Sequence, residues 1–192
     1  MNEPKEQPTR AFTTRQKWRE WLERNHSKST GIFLRIFKKD SGKKTVTHLE
    51  ALDEALCFGW IDGVRKSYDD ESFLQKFTPR QKRSIWSKRN QENVARLIKE
   101  QRMTDAGIAE VERAKNDGRW DRAYDSPKDM KVPSDFLKEL KKNKAAYKFF
   151  KELTKVNHFA IAFRLHNAKR PETRERRMKD FLERLANGEK IV

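Results

Sequence analysis

Residues Ala51–Asn90 read ALDEALCFGWIDGVRKSYDDESFLQKFTPRQKRSIWSKRN, and this stretch decides the predicted fold. It starts inside a predicted helix, because Thr47 and Glu50 have the spacing of a capping box, in which two side chains satisfy orphan backbone N–H groups at a helix start. Asp53 and Glu54 are predicted to point away from the buried face of this helix. That face consists of apolar residues at spacings of three and four, Leu49, Leu52, Ala55 and Leu56.

A glycine-flanked turn is predicted to follow the helix. Gly59 and Gly63 permit a positive φ or a close backbone approach, so Asp62 between them is expected to be presented at a turn. Val64–Tyr68 and Phe73–Phe77 are then predicted to form antiparallel strands, because the polar segment between them has the length of a hairpin loop. A helix is expected next, with Ser84 or Ser87 as its cap.

Outside this stretch, Ile32–Phe37 alternates with a period of two and is apolar at both sets of positions, which predicts a central strand. Helical periodicity precedes it at residues 14–25 and follows at 94–103 and 104–117. The predicted fold class is therefore α+β, with a small antiparallel sheet of about three strands packed with helices, followed by a helical C-terminal unit.

Prolines and polar residues at 125–133 indicate a linker before that unit. The predicted organisation is a disordered tail at 1–10, an α+β core domain at 11–125, a linker at 126–133 and a helical unit at 134–192. The last helix is expected to begin at Pro171 and to end before Gly188, the usual positions of proline and glycine at helix ends.

The composition bounds the possible partners. The chain has 192 residues, a net charge of +16 and a pI near 10, which favours nucleic acid, acidic headgroups or an acidic protein. Five Trp and twelve Phe supply enough apolar area for a folded core. Cys57 is the only cysteine, so an intrachain disulfide and a cysteine-based zinc site are excluded. We expect no signal peptide or transmembrane span and hence a cytoplasmic protein.

The strongest candidate site is the basic aromatic segment from Lys76 to Arg102. Guanidinium groups bind phosphate or carboxylate, serines add donors, and Trp86 offers a stacking face. The competing interpretation is that Trp86 belongs to the core and that the basic groups around it are simply solvated. The predicted ligand-binding residues are Trp60, Asp62, Lys66, Arg80, Arg83, Ser84, Trp86, Ser87 and Asn90.

Asp62 is the one candidate for acid–base chemistry, as a carboxylate near Lys66 or Arg80, although a role as a structural acceptor is favoured. The four histidines lack metal-ligand spacing, and phosphate-loop, dinucleotide and nucleophile-elbow motifs are absent from the sequence. No catalytic residues, metal or cofactor are therefore predicted.

Four strings resemble the YdeI/OmpD-associated family, also called the bacteriocin-protection family. They are EALCFGWIDG, FTPRQKRSIWSKRN, GRW at 118–120 and AKRPETRERR at 168–177, and the resemblance extends over 18–188. The resemblance implies protection against bacteriocins or antimicrobial peptides and an association with a porin, and it brings no catalytic residues. Gln101 departs from the glycine that the family has there.

The resulting hypothesis is a non-enzymatic cytoplasmic stress or bacteriocin-protection protein that binds an anionic ligand or an acidic partner. Two alternatives are a nucleic-acid-binding module and an uncharacterised enzyme that uses Asp62. The sequence leaves the oligomeric state open.

Overall fold

The computed structural model describes residues 7–125 and 129–192, and over these residues it confirms the α+β fold class. They form eight α-helices and one four-stranded sheet. The chain divides into two compact units, of which the first ends at Ala123 and the second begins at Tyr124. Residues 1–6 of the predicted tail and 126–128 of the predicted linker lie outside the described residues.

The sheet contains β1 (Thr9–Arg10), β2 (Ile32–Phe37), β3 (Trp60–Asp69) and β4 (Ser72–Pro79) in the order β1-β2-β4-β3. All neighbours pair antiparallel except β1, which runs parallel to β2. The sheet thus has one strand more than predicted, and that strand comes from the segment assigned to a disordered tail. A strand of two residues is too short to show the alternating pattern by which strands are recognised in a sequence. Strand β1 forms because it pairs with the edge of β2.

β2 is an internal strand, as its sequence predicts. Ile32, Leu34 and Ile36 are buried, while the alternate residues are only partly buried. Partner strands lie on both sides of it, with Phe33 opposite Thr9 of β1 and Lys76 of β4. The sheet therefore has a covered face, which carries the buried residues, and an opposite face that is more exposed.

Two helices cover the buried face, α1 (Arg15–Asn25) and α2 (His48–Cys57). Trp18 of α1 lies with its ring centroid 5.6 Å from that of Phe77 on β4, and its Nε1 donates a 3.0 Å hydrogen bond to the carbonyl oxygen of Ala51. The predicted capping box of α2 is present, with both reciprocal bonds between Thr47 and Glu50. These contacts build the core of the first unit.

The predicted buried face of α2 needs correction at two positions. Leu49 is 57% exposed, whereas Glu54 is only 1% exposed. Glu54 accepts 2.7 Å hydrogen bonds from Nη1 of Arg19 and Nη2 of Arg102. Because α2 packs against α1 on one side and against the following helices on another, its buried face is rotated away from the stripe that apolar spacing alone suggests.

Two further helices complete the first unit, α3 (Lys88–Lys99) and α4 (Asp105–Asn116). Of the two predicted caps for α3, Ser87 is the one used, since its Oγ accepts from the backbone N–H of Asn90 at 3.1 Å. Thr104 caps α4 in the same way. Gln101, between these helices, has a φ of 55°, so the left-handed turn forms without a glycine.

The second unit is helical, with α5 (Ser134–Leu140), α6 (Lys144–Glu152), α7 (Lys155–His166) and α8 (Pro171–Ala186). Pro171 opens the last helix and Gly188 follows it with a φ of 71°, as predicted. The core of the unit is formed by apolar side chains of all four helices, among them Phe136, Phe150, Ile161, Leu165, Phe181 and Leu185. None of the helices in the described part of the chain combines the length and apolar character needed to span a bilayer.

Candidate functional site

The two tryptophans of the predicted site are part of the core. Trp60 and Trp86 are each 1% exposed. Nε1 of Trp60 donates a hydrogen bond to the carbonyl oxygen of His26 at 3.1 Å. The ring centroid of Trp86 lies 4.8 Å from the ring centroid of Trp120. Neither ring offers a face on which a ligand could stack, which favours the core interpretation given above.

Arg80 is also internal. It is 5% exposed, its guanidinium carbon lies 3.5 Å from the centroid of the Trp86 ring, and its Nη1 donates to the carbonyl oxygen of Ile85 at 3.2 Å. Arg119, which is not among the predicted ligand-binding residues, is equally buried and donates from Nη1 to the carbonyl oxygen of Ser84 at 3.0 Å. The two arginines therefore hold residues 84–86 against the core.

The polar residues of the same segment satisfy backbone groups. Oγ of Ser84 accepts from the backbone N–H of Gln81 at 2.9 Å, and Ser87 caps α3. Asn90 is buried in the first turn of that helix. Arg83 is exposed, so among these residues it is the one with a cationic head in solvent. The structure does not gather the predicted set into one exposed hollow.

Asp62 lies in strand β3 and not at a turn, because the strand begins directly after Gly59, at Trp60. A register shift between Asp62 and Arg65 places Asp62 opposite Phe77 and Lys66 opposite Leu74. Side chains along β4 alternate between faces, so Asp62 and Lys66 lie on opposite faces of the sheet. The Oδ2 atom of Asp62 instead lies 3.0 Å from Nε2 of His48. The predicted grouping of Asp62 with Lys66 is therefore wrong.

The structure brings together a different basic and aromatic surface, on the face of the sheet opposite α1 and α2. Cross-strand pairing puts Phe33 beside Lys76 and Arg35 beside Leu74, which is itself opposite Lys66. We call this surface the outer sheet face and define it by Phe33, Arg35, Phe37, Lys66, Tyr68, Leu74 and Lys76. Tyr68 is 54% exposed, Lys66 is exposed and the others are partly buried.

Rings and cations alternate across this face. The guanidinium carbon of Arg35 lies 4.6 Å from the ring centroid of Phe37 and 4.9 Å from that of Tyr68. Nζ of Lys66 lies 5.5 Å and Nζ of Lys76 5.8 Å from the ring centroid of Phe33. These distances are within the range of cation–π attraction, so the cations and rings are held as one surface.

The charges on the outer sheet face differ in how far they are neutralised. Nη2 of Arg35 forms a 2.6 Å ion pair with Oδ2 of Asp69. The pKa of Asp69 is lowered, first by the hydrogen bond from the Ser72 hydroxyl and also by the charge of Arg35, so this carboxylate stays ionised. Lys66 and Lys76 form no ion pair within residues 7–125 and 129–192. They are therefore the two cations with charge available to a ligand.

This arrangement has the chemical properties of a binding surface. Aromatic faces stack on bases and lysines neutralise phosphates, and both need only exposure and charge. Within the described part of the chain, no group of three or more His, Cys, Asp or Glu side chains is placed to hold a metal ion. The sequence signal for this surface is the alternation in IFLRIF, VRKSYD and FLQKFT. The alternation does not show which residues of the three strands are neighbours, because that depends on the strand register.

Two family models match the chain. Residues 10–110 match the model described as Domain of unknown function (DUF8412), and residues 129–188 match the model described as Bacteriocin-protection, YdeI or OmpD-Associated. The second match confirms the resemblance noted in the sequence and contains AKRPETRERR, whereas the other three strings lie outside it. The search of curated proteins and that of solved structures each returned no match.

Proposed function

We propose that this chain, which belongs to the family described as Domain of unknown function (DUF8412) and carries a YdeI/OmpD-associated segment at 129–188, binds single-stranded nucleic acid on the outer sheet face. The observation that carries the proposal is the alternation of Phe33, Phe37 and Tyr68 with three cations on one face of the sheet. This proposal replaces the surface predicted around Trp86, whose ring is buried.

The aromatic groups are spaced to contact more than one base. Phe33 and Phe37 are four residues apart on β2, which corresponds to about 13 Å along a strand. Arg35 lies between them, and its planar guanidinium extends the stacking surface toward Tyr68. A single strand can turn unstacked bases onto such a sheet, whereas a duplex keeps its bases stacked inside. The geometry therefore favours a single strand.

The electrostatics supply affinity of low sequence specificity. Lys66 and Lys76 are the available cations beside Phe33, and the chain as a whole carries a charge of +16. Neutralising backbone phosphates releases counterions, so affinity should fall steeply as salt is raised. A cytoplasmic location belongs to the proposal, since single-stranded nucleic acid and an unpaired cysteine such as Cys57 are both usual there. The protection against bacteriocins that the family description names is likewise part of this proposal.

The test is binding of a fluorescein-labelled 15-residue oligothymidylate, followed by anisotropy at several salt concentrations. Tyr68→Ala should weaken binding about tenfold, because one stacking contact is lost. Lys76→Gln should reduce the steepness of the logarithmic salt dependence by about 0.7, which corresponds to one phosphate contact with a single strand. Ile98→Ala, at an exposed apolar residue of α3, and Lys148→Gln, at an exposed lysine of α6, should change neither quantity.

Three results would overturn the proposal. The first is an absence of binding at low salt, and the second is equal affinity for a duplex of the same sequence. The third is binding that Tyr68→Ala and Lys76→Gln leave unchanged, which would place the contact elsewhere, for example at Arg83. Competition by inorganic phosphate at millimolar concentration would instead support the small anionic ligand predicted from the sequence.

A further inference from the structure

The second unit has a cleft whose charge is opposite to that of the chain as a whole. The cleft has a volume of about 640 Å³ and lies along α8 with Glu139 of α5 at its side. Its other lining residues are Glu175, Met178, Lys179, Leu182 and Glu183. We name it the α5–α8 cleft and propose that it docks a positively charged amphipathic helix.

Met178 and Leu182 form the apolar floor of the α5–α8 cleft. They are four residues apart on α8, so they lie on one side of the helix, and both are partly buried against the core of the unit. Methionine is flexible and polarisable, and it adapts to apolar side chains of different shape. A floor of this kind accepts the apolar stripe of a helix without requiring one fixed side chain.

The rim of the cleft is acidic. Glu139 is paired with Lys142, with Oε2 and Nζ 2.7 Å apart. Glu175 and Glu183 are exposed and take part in no ion pair among the residues that the structure describes. Lys179 is the one basic residue of the lining. Lys179 is four residues from both glutamates on α8, so it offsets part of their charge, and two carboxylates against one ammonium group leave this side of the rim acidic.

The charge determines which occupant fits. A helix that carries lysines or arginines beside its apolar stripe places cations against Glu175 and Glu183 and apolar groups against Leu182. These two glutamates are eight residues apart, about 12 Å or two turns, which matches the spacing of anchors on a docked helix. A second copy of the chain paired symmetrically through this cleft would set carboxylates against carboxylates, which disfavours that occupant.

General electrostatic attraction cannot account for such binding. The chain carries +16, so its long-range field repels a cationic peptide and only a local acidic surface can attract one. A cationic helix and a nucleic acid therefore require different surfaces of this protein. The inference is independent of the proposed function, because it rests on residues of the second unit alone.

The experiment uses the full chain and a fluorescein-labelled 18-residue peptide of leucine and lysine arranged as an amphipathic helix. The reference peptide has glutamate in place of every lysine. The chain should bind the lysine peptide in spite of its own charge of +16. That charge attracts the glutamate peptide, so any binding of the glutamate peptide should not be weakened by the acidic-to-basic changes in the cleft. The double variant Glu175→Lys with Glu183→Lys should weaken binding at least about tenfold, because attraction is replaced by repulsion. Leu182→Gln should also weaken it, through loss of the apolar contact.

The matched control is Glu152→Lys, which reverses an exposed carboxylate of the same unit at the end of α6, outside the cleft. It should leave the affinity within a factor of two, and Tyr68→Ala in the first unit should do the same. Far-UV circular dichroism checks that each variant is folded. The inference is overturned if the lysine peptide does not bind, if the double variant keeps full affinity for it, or if the Glu152→Lys control loses as much affinity as the double variant.

Discussion

The guanidinium carbon of Arg80 lies 3.5 Å from the centroid of the Trp86 ring, and both side chains are buried. This contact turns the two residues that sequence reasoning placed at the centre of a ligand site into a structural pair. Arg80 also donates to the carbonyl oxygen of Ile85, so its planar group performs two tasks that require its shape.

Arg80→Lys should therefore destabilise the protein by about 2 kcal/mol, although it keeps the charge. An ammonium group stacks less well on the ring and is more costly to bury. Urea denaturation followed by tryptophan fluorescence measures the loss. Arg83→Lys is the matched control, because Arg83 is exposed three residues away, and it should change the free energy of unfolding by less than about 0.5 kcal/mol. Equal effects of the two variants would contradict the pair.

The buried carboxylate of Glu54 is predicted to be a major contributor to stability. It accepts hydrogen bonds from Arg19 and Arg102, and Nε of Arg15 lies 3.4 Å from its Oε1. Glu54→Ala removes the shared acceptor and leaves these guanidinium groups without it, which should cost about 3 kcal/mol in the free energy of unfolding. Lys115→Ala, which breaks the exposed pair with Glu112, should cost less than about 0.5 kcal/mol.

The thiol of Cys57 should make stability depend on pH in the alkaline range. Burial, together with the charge of Glu54, raises the pKa of this thiol from 9.0 to about 11. Between these values the unfolded chain has lost the proton and the folded chain retains it, so the free energy of unfolding falls as pH rises. Two pKa units correspond to about 3 kcal/mol.

The measurement is urea denaturation at pH 8.5 and at pH 10.5, for the wild type and for Cys57→Ala. Tyrosines and lysines titrate in the same range, so the difference between the two proteins isolates the thiol. The wild type should lose more stability than Cys57→Ala over this interval. Equal losses would show that the thiol ionises normally in the folded protein.

Gly107 is predicted to be required where α4 crosses the end of α2. A Cβ at this position would overlap the carbonyl oxygen of Cys57 and lie 2.8 Å from Cε of Met103. That carbonyl already accepts a 2.6 Å hydrogen bond from the Thr104 hydroxyl, so it cannot move away freely. Gly107→Ala should therefore destabilise the protein by about 1–3 kcal/mol, although alanine is the better helix former.

Gly63→Ala serves as the control for this glycine. A Cβ atom added at residue 63 would lie 3.7 Å from its nearest neighbour, the Cβ of Lys76, which is an ordinary van der Waals contact. Thermal unfolding should show that the free energy of unfolding of this variant is within about 0.5 kcal/mol of that of the wild type. An unchanged free energy of unfolding in Gly107→Ala would contradict the prediction, because it would mean that α4 can move away from the end of α2 without loss of stability.

Local patterns were sufficient for most of the elements. The limits of β2 and the start of α2 agree with the prediction, because alternation and a capping box act over a few residues. The hairpin was predicted too short, since β3 starts at Trp60 and β4 runs to Pro79. Glycine at 59 provides the turn alone, so the residues predicted as a turn could join the strand.

The candidate site could not be obtained in the same way. Lys66 is the single predicted site residue that belongs to the outer sheet face, and its placement depends on the register shift after Asp62. A shift of one residue moves every later side chain of a strand to the other face. Gly63 lies at this shift and a glycine inside a strand is typical of a bulge, but the local sequence does not state which residues pair after it. The prediction of an exposed Trp86 failed for a related reason, since a stacking ring and a core ring look alike in sequence.

The sequence by itself determined most of the helices, the capping box of α2, the central strand, the presence of the hairpin, the basic charge and the family resemblance of the C-terminal segment. Each of these depends on residues close together in the chain, or on composition alone. Only the tertiary structure decided which charges are buried, as with Glu54 and Arg80, and which rings remain accessible, as with Tyr68. Burial and strand register depend on residues distant in sequence, so the outer sheet face and the α5–α8 cleft exist only in the folded chain.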